Sequence, residues 1–189
     1  MIKKIVALLL SAAITFSMTA CGNKTQNSSS ATEKATEETT RPAAPSFEST
    51  EDIINAIYEK KPMELNMGSI PVDLTDEFAL QSYLGLTPDD ADKLVEATAS
   101  EAMMGQACSI VTVELIDASD AGEIAQKMAN GIDQNKWICV EADNLRVVTC
   151  DKYILLVMIS SSLDSVSVDE IVNAFTEVCG YIDGEYYKK

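Results

Sequence analysis

The chain has 189 residues, with 14 Lys and Arg against 30 Asp and Glu, no histidine and a formal charge of -16. This length suits one folded domain, and a pI near 4.2 argues against nucleic acid as a partner, because duplex binding rests on Lys and Arg neutralising phosphates. Without histidine there is no imidazole general base, no Ser-His-Asp or Cys-His nucleophile and no His metal ligand.

Lys3 and Lys4 precede an apolar run over residues 5–16, broken only by Ser11 and Thr15, and Ser17, Met18, Thr19, Ala20 and Cys21 follow. A basic start, a short apolar stretch and small residues before a cut make a secretory signal. The stretch is shorter than the roughly 20 residues a spanning helix needs. Residues 1–20 are therefore expected to be a signal peptide. Met18-Thr19-Ala20-Cys21 resembles the lipobox of bacterial lipoproteins, with Met18 where Leu is usual. That resemblance implies that Cys21 becomes the mature N-terminus and carries a diacylglyceryl group, with acyl chains of the palmitate kind. Each buried CH₂ contributes about 0.8 kcal/mol, and two chains hold a protein firmly where one does not. The expected location is the extracytoplasmic face of the cell membrane, anchored through lipid.

Residues 22–48 contain nine Ser and Thr, and their apolar side chains are Ala31, Ala35, Ala43, Ala44 and Phe47. Such a composition buries too little surface to offset chain entropy, so residues 21–48 form a lipidated start and a disordered tether. As a coil the tether reaches on the order of 30 Å, at about 5–6 Å × √n. Residues 49–189, the expected acidic domain, carry 26 Asp and Glu against 9 Lys and Arg. That excess keeps the domain off anionic lipid and suits either a solvated surface or recognition of a cation or basic partner.

Ser49-Thr50-Glu51-Asp52 opens a helix with Ile53, Ile54, Ile57 and Tyr58 at helical spacing, which Pro62 ends. Residues 63–74 are mixed, with room for a short strand. Thr75 caps a second helix carrying Phe78, Leu80 and Leu84 and stopped by Gly85. Thr87-Pro88-Asp89-Asp90 predicts a third, with Leu94, Val95 and Thr98 on one face. Residues 108–116 (CSIVTVELI) predict a strand. Ser119 caps a helix to about Ile132. Residues 137–141 and 145–149 predict two strands around Asp143-Asn144. Residues 153–160 (YILLVMIS) predict a central strand entered through a turn at Asp151-Lys152. Ser167-Val168-Asp169-Glu170 is a capping box for a last helix that Gly180 ends, and residues 181–189 are expected to fray. Strands joined by tight turns imply an antiparallel sheet, so the expected fold is α+β: one domain, about four antiparallel strands, helices on one face.

Cys108, Cys139, Cys150 and Cys179 lie in apolar patterns, where free Cys behaves as a small hydrophobe. Their even number outside the cytosol also permits disulfides. No C-x-x-C occurs, so no zinc site is expected. Asp89, Asp92 and Glu96 would share one helical face as a cation site, although acids in a first turn also serve the helix dipole. Residues 117–122 (DASDAG) open like a calcium loop, but Ala121 and Met128 stand where ligands are required. Ser160-Ser161-Ser162 has no surrounding nucleophile motif. No glycine-rich phosphate loop occurs, and no cofactor is expected. Trp137, Met103-Met104 and Tyr186-Tyr187 are candidates for a binding patch, with Trp137 better suited to the core.

Leu74-Thr75-Asp76-Glu77-Phe78, Tyr83-Leu84-Gly85-Leu86, Met103-Met104, the strand and helix up to Ile132, and residues 151–157 (DKYILLV) together resemble the domain-of-unknown-function family 4358. These are small lipoproteins, chiefly of clostridia-like Gram-positive bacteria. The resemblance covers about residues 63–178 and implies location and architecture rather than an activity. Members often carry an Arg near the end of the middle helix, where this chain has Gly131. The expected function is a lipid-anchored extracytoplasmic module that binds a protein or small molecule or supports the envelope, without catalysis. The alternatives are an envelope hydrolase using a carboxylate pair and a thiol redox protein.

Overall fold

The run YILLVMI lacks any polar alternation, and a strand of that kind needs cover on both faces. The computed structural model describes residue 43 and residues 45–189 apart from Met104; the signal segment, Cys21 and most of the tether lie outside the described residues. In it this run forms β5 (Tyr153–Ile159), with every side chain buried. β5 pairs antiparallel with β3 (Cys108–Leu115) on one side and β4 (Asn144–Cys150) on the other. β2 (Leu94–Ala102) and β1 (Met67–Pro71) continue the sheet beyond β3, and β6 (Gly184–Tyr186) pairs with β4. The order is β1-β2-β3-β5-β4-β6, so the fold is α+β with six antiparallel strands, not about four.

The helices cover both faces, not the single face that the sequence suggested. α1 (Thr50–Lys60) and α4 (Val168–Cys179) bury Ile53, Ile57, Ile171 and Phe175 against Ile110, Val148, Leu155 and Val157. On the opposite face lie α2 (Glu77–Ala79), the π-helical turn Leu80–Leu84 that continues it, and α3 (Ala121–Gly131). They pack on Val111, Val113, Ile154, Leu156 and Met158. Successive strand side chains point to opposite faces, and in β5 both sets are apolar, so one helical layer would leave half of them wet.

Local signals hold at several ends. Ser49 accepts from the Asp52 N–H at the start of α1, and Ser167 and Glu170 form a capping box at the start of α4. Gly180 closes α4 at φ 86. Other expectations fail for tertiary reasons. The start at Thr87 is a real capping box, but it opens only a 3-10 segment, Pro88–Lys93. The predicted helix over Leu94, Val95 and Thr98 is instead β2. Its sequence LVEATASEA is rich in helix formers, yet pairing with β1 and β3 overrides propensity. Its buried polar side chains meet partners. The Thr50 and Thr98 hydroxyls lie 2.7 Å apart, Thr112 donates to the Thr50 carbonyl at 2.8 Å, and Tyr58 donates to Ser100 at 2.6 Å. This seam fastens α1 to β2 and β3.

Residues 137–141 form no strand, because β5 and β6 already occupy both sides of β4. The segment loops out with Cys139 at φ 67. Trp137 is half-buried against the α3 layer, with the Lys136 ammonium 5.1 Å from its ring and 5.2 Å from that of Tyr83. Lys136 also pairs with Glu101 at 2.7 Å. The tail expected to fray contains β6. Phe47, assigned to the tether, packs edge-on against Tyr153 with ring centroids 5.1 Å apart, so ordered packing begins before residue 49.

Gly85 caps the π-helical turn at φ 67, and its backbone lies against Gly131 at the end of α3. A Cβ on Gly131 would fall 2.0 Å from the Gly85 carbonyl oxygen, which explains why no side chain stands there. Gly131→Ala should therefore lower the unfolding free energy by about 3 kcal/mol, at the upper end of overpacking. Gly180→Ala, where the φ is left-handed but nothing lies within 4 Å, should cost only about 1 kcal/mol. Urea unfolding of the two variants checks the order; equal losses would contradict the backbone contact.

Candidate functional site

The double cover of the sheet leaves a groove on the α4 face, where β4 and α4 both begin. Its cavity is about 510 Å³. Arg146 of β4 forms one wall, the loop after β5 another, and Tyr187, just past β6, the third. Arg146 is opposite Val157 in the ladder, which puts its side chain on the α4 side of the sheet. Leu163 and Val166 supply an apolar floor, and Ser161 and Ser167 supply hydroxyls.

The guanidinium is the organising group. One terminal nitrogen meets the Asp169 carboxylate at 2.7 Å, and its carbon lies 5.8 Å from the centre of the Tyr187 ring. Its Nε is buried and has no hydrogen-bond partner. The nearest acid to it, Glu185, is 3.9 Å away, too far for a hydrogen bond, and Glu185 already accepts the Tyr187 hydroxyl at 2.6 Å. A buried unpaired donor costs about 1–3 kcal/mol, more when charged. The loop opposite is held by Asp143, which accepts the Ser161 N–H at 2.6 Å. The Ser161 hydroxyl and N–H hold the Asp143 carboxyl below its ordinary value.

Of the residues singled out in the sequence, the groove collects Ser160, Ser161 and Tyr187. The Ser160 and Ser162 hydroxyls lie 2.9 Å apart, as in a loop that bonds to itself. Trp137 sits in its own loop, half-exposed Met103 lies near Gly68 of β1, and Met104 is outside the described residues. The acidic run is dispersed. Asp90 is buried and pairs with Lys127 at 2.7 Å, and Glu96 accepts the Thr50 N–H from β2. Burial alone would raise the Asp90 carboxyl, but Lys127 and Thr87 outweigh it and hold it below its ordinary value. Asp117 caps a 3-10 turn, and Asp120 pairs with Lys93 at 3.0 Å. Among the described residues no group of His, Cys, Asp and Glu is arranged for a metal ion.

The four domain cysteines stand unbonded: Cys108, Cys150 and Cys179 are buried, whereas Cys139, expected inside an apolar strand, is exposed because that strand does not form. Burial pushes the Cys108 thiol up to about 12. The Cys150 thiol donates to the Cys179 carbonyl at 4.0 Å, and the neighbouring thiols hold Cys150 down and push Cys179 up. Redox chemistry needs an exposed thiol with a lowered pKa. Here the exposed cysteine is Cys139, whereas Cys150, whose thiol is held down, is fully buried. Carboxylate-pair chemistry needs one acid kept protonated. In the groove Asp143 is held ionised by Ser161, and Asp169 is tied to Arg146.

Arg146 and Tyr187 thus line one charged side of the groove, which motif reading missed. The available signal was Arg146 itself, the one arginine among residues 49–189, set in the strand pattern LRVVTC. Compared with known families, curated proteins and solved structures, the chain matches none, so the groove is read from its own geometry.

Two outcomes follow from this geometry. Asp90→Asn should lower stability at pH 7 by about 1–2 kcal/mol, a buried-pair loss discounted because Lys127 is 45% exposed. Asp90's folded value lies below its unfolded one, so its contribution is present above about pH 4 and is lost as acid titrates it. Urea unfolding at pH 7 and pH 3 should show the difference fading; an equal loss at both would contradict the pair. An aromatic disulfide reagent should react quickly with Cys139 alone in the native protein, and with Cys108, Cys150 and Cys179 only after denaturation. Rapid native reaction of Cys150 would contradict its burial.

Proposed function

We propose that this chain is a lipid-anchored extracytoplasmic binding protein, with Cys21 as its anchor, residues 22–46 as its leash and the groove beside Arg146 as its ligand site. The reading of the anchor rests on the basic, apolar and small-residue order of residues 1–21. The reading of the site rests on one observation: Arg146, whose buried Nε–H has no partner, is a lining residue of a cavity of about 510 Å³. Cavities of that size suit small-molecule ligands, and this one is lined more by polar than by apolar side chains. Binding without catalysis fits because the groove offers no base to activate Ser161 and no protonated acid opposite an ionised one. The acidic surface, 26 acids against 9 bases in residues 49–189, keeps the domain clear of anionic headgroups while the lipid holds it nearby.

The anchor is checked by labelling cells with a fatty acid and separating membranes. The wild-type chain should carry label and partition with membranes, and Cys21→Ala should lose both. Membrane retention of labelled Cys21→Ala would overturn the anchor. The site is checked by native mass spectrometry of the lipoprotein taken from membranes in mild detergent. Wild type should carry a small-molecule mass that Arg146→Lys retains to a much smaller extent. An adduct equally present in both proteins would place binding elsewhere.

A further inference from the structure

The charges around Arg146 narrow the chemistry of the ligand. We propose that the groove takes a zwitterionic amino compound, a short peptide or amino acid with an apolar side chain, whose carboxylate meets the Arg146 guanidinium and whose ammonium sits among the surrounding acids. This rests on the reading of the groove as the ligand site.

The carboxylate half follows from the unpaired donor. A guanidinium presents its N–H groups as a rigid planar fork that matches two carboxylate oxygens. Asp169 occupies one terminal nitrogen at 2.7 Å, while the Nε–H is left without an acceptor. Tyr187, stacked at 5.8 Å, keeps the fork from swinging away.

The ammonium half follows from the surplus of negative charge. Asp169 at 2.7 Å and Glu185 at 3.9 Å flank the Arg146 guanidinium, and Asp143 lines the same groove, so the carboxylates there outnumber the one cation. The whole domain adds to that field. A ligand carrying only negative charge is repelled by such a field, whereas one that brings its own positive group is not. Asp143, just before β4, accepts the Ser161 N–H at 2.6 Å and is held below its ordinary value, which places a negative charge on the groove wall across from Ser161. Leu163 and Val166 supply the apolar surface for the side chain, and a volume of about 510 Å³ gives room for more than one residue.

The test is isothermal titration of the full-length chain in detergent with three probes: leucyl-leucine, its N-acetyl form without the ammonium, and its C-terminal amide without the carboxylate. Leucyl-leucine should bind at one site per chain, and each blocked form should bind at least tenfold more weakly. Arg146→Lys keeps the charge but not the fork, and should also weaken leucyl-leucine at least tenfold while its thermal melt shows the protein still folded. Equal binding of the N-acetyl form would overturn the zwitterion and leave the groove as a carboxylate site. Equal binding to Arg146→Lys would overturn the site as well. No binding of leucyl-leucine would overturn the proposal, and the adduct comparison above would then decide the groove independently.

Discussion

Ile154, Leu156 and Met158 point to one face of the sheet, Leu155 and Val157 to the other, and neither set can be left to water. Each such side chain contributes about 1.5–3 kcal/mol when fully buried, so the strand that carries them demands two covering layers. α3 and the π-helical turn supply one, and α1 and α4 the other. An antiparallel sheet often keeps one solvated face; this one does not at its centre, because β5 is apolar on both faces. The covering layers then decide what each edge can do. α4 must lie over β4 and β5 to bury Phe175 and Ile171, which brings its first turn to the start of β4 and places Asp169 beside Arg146.

The groove is a consequence of that placement. α4 starts only after the long loop that follows β5, and the space between loop, strand and helix is not filled by side chains. β6 closes the outer side by pairing with β4, and the chain just beyond it lays the Tyr187 ring against the guanidinium. Three remote segments therefore converge on one cation. The local field is negative, and the cation retains a buried donor that no side chain satisfies. Buried polar groups in folded proteins are almost always paired, and it is on this exception that the proposed ligand site rests.

Much of the scaffold is legible in the chain. The caps at Ser49 and Ser167, the stops at Gly85 and Gly180, and the strands over CSIVTVEL and YILLVMI rest on local signals that the structure keeps. What is not legible depends on distant neighbours. Leu94–Ala102 has a helix-forming composition and becomes β2 because β1 and β3 bracket it. Residues 137–141 have a strand-like composition and stay out of the sheet because the tail takes that place as β6. Helices on both faces were implied by the lack of alternation in β5, a signal present in the sequence but outweighed by the expectation of a solvated face. The site was hidden for a different reason. Asp143, Arg146, Asp169 and Tyr187 follow no motif spacing, and their meeting depends on a β6 that the sequence reads as a frayed end.

The account turns on whether Arg146 is a free donor or a finished structural ion pair. The chain has two arginines, Arg41 and Arg146, so the side-chain Nε–H signals can be told apart by nitrogen NMR. In the ligand-free protein the account predicts an Arg146 Nε–H resonance with no hydrogen-bond coupling to a carboxylate. A strongly downfield Nε–H coupled to Glu185 would show the guanidinium already satisfied and would contradict the account.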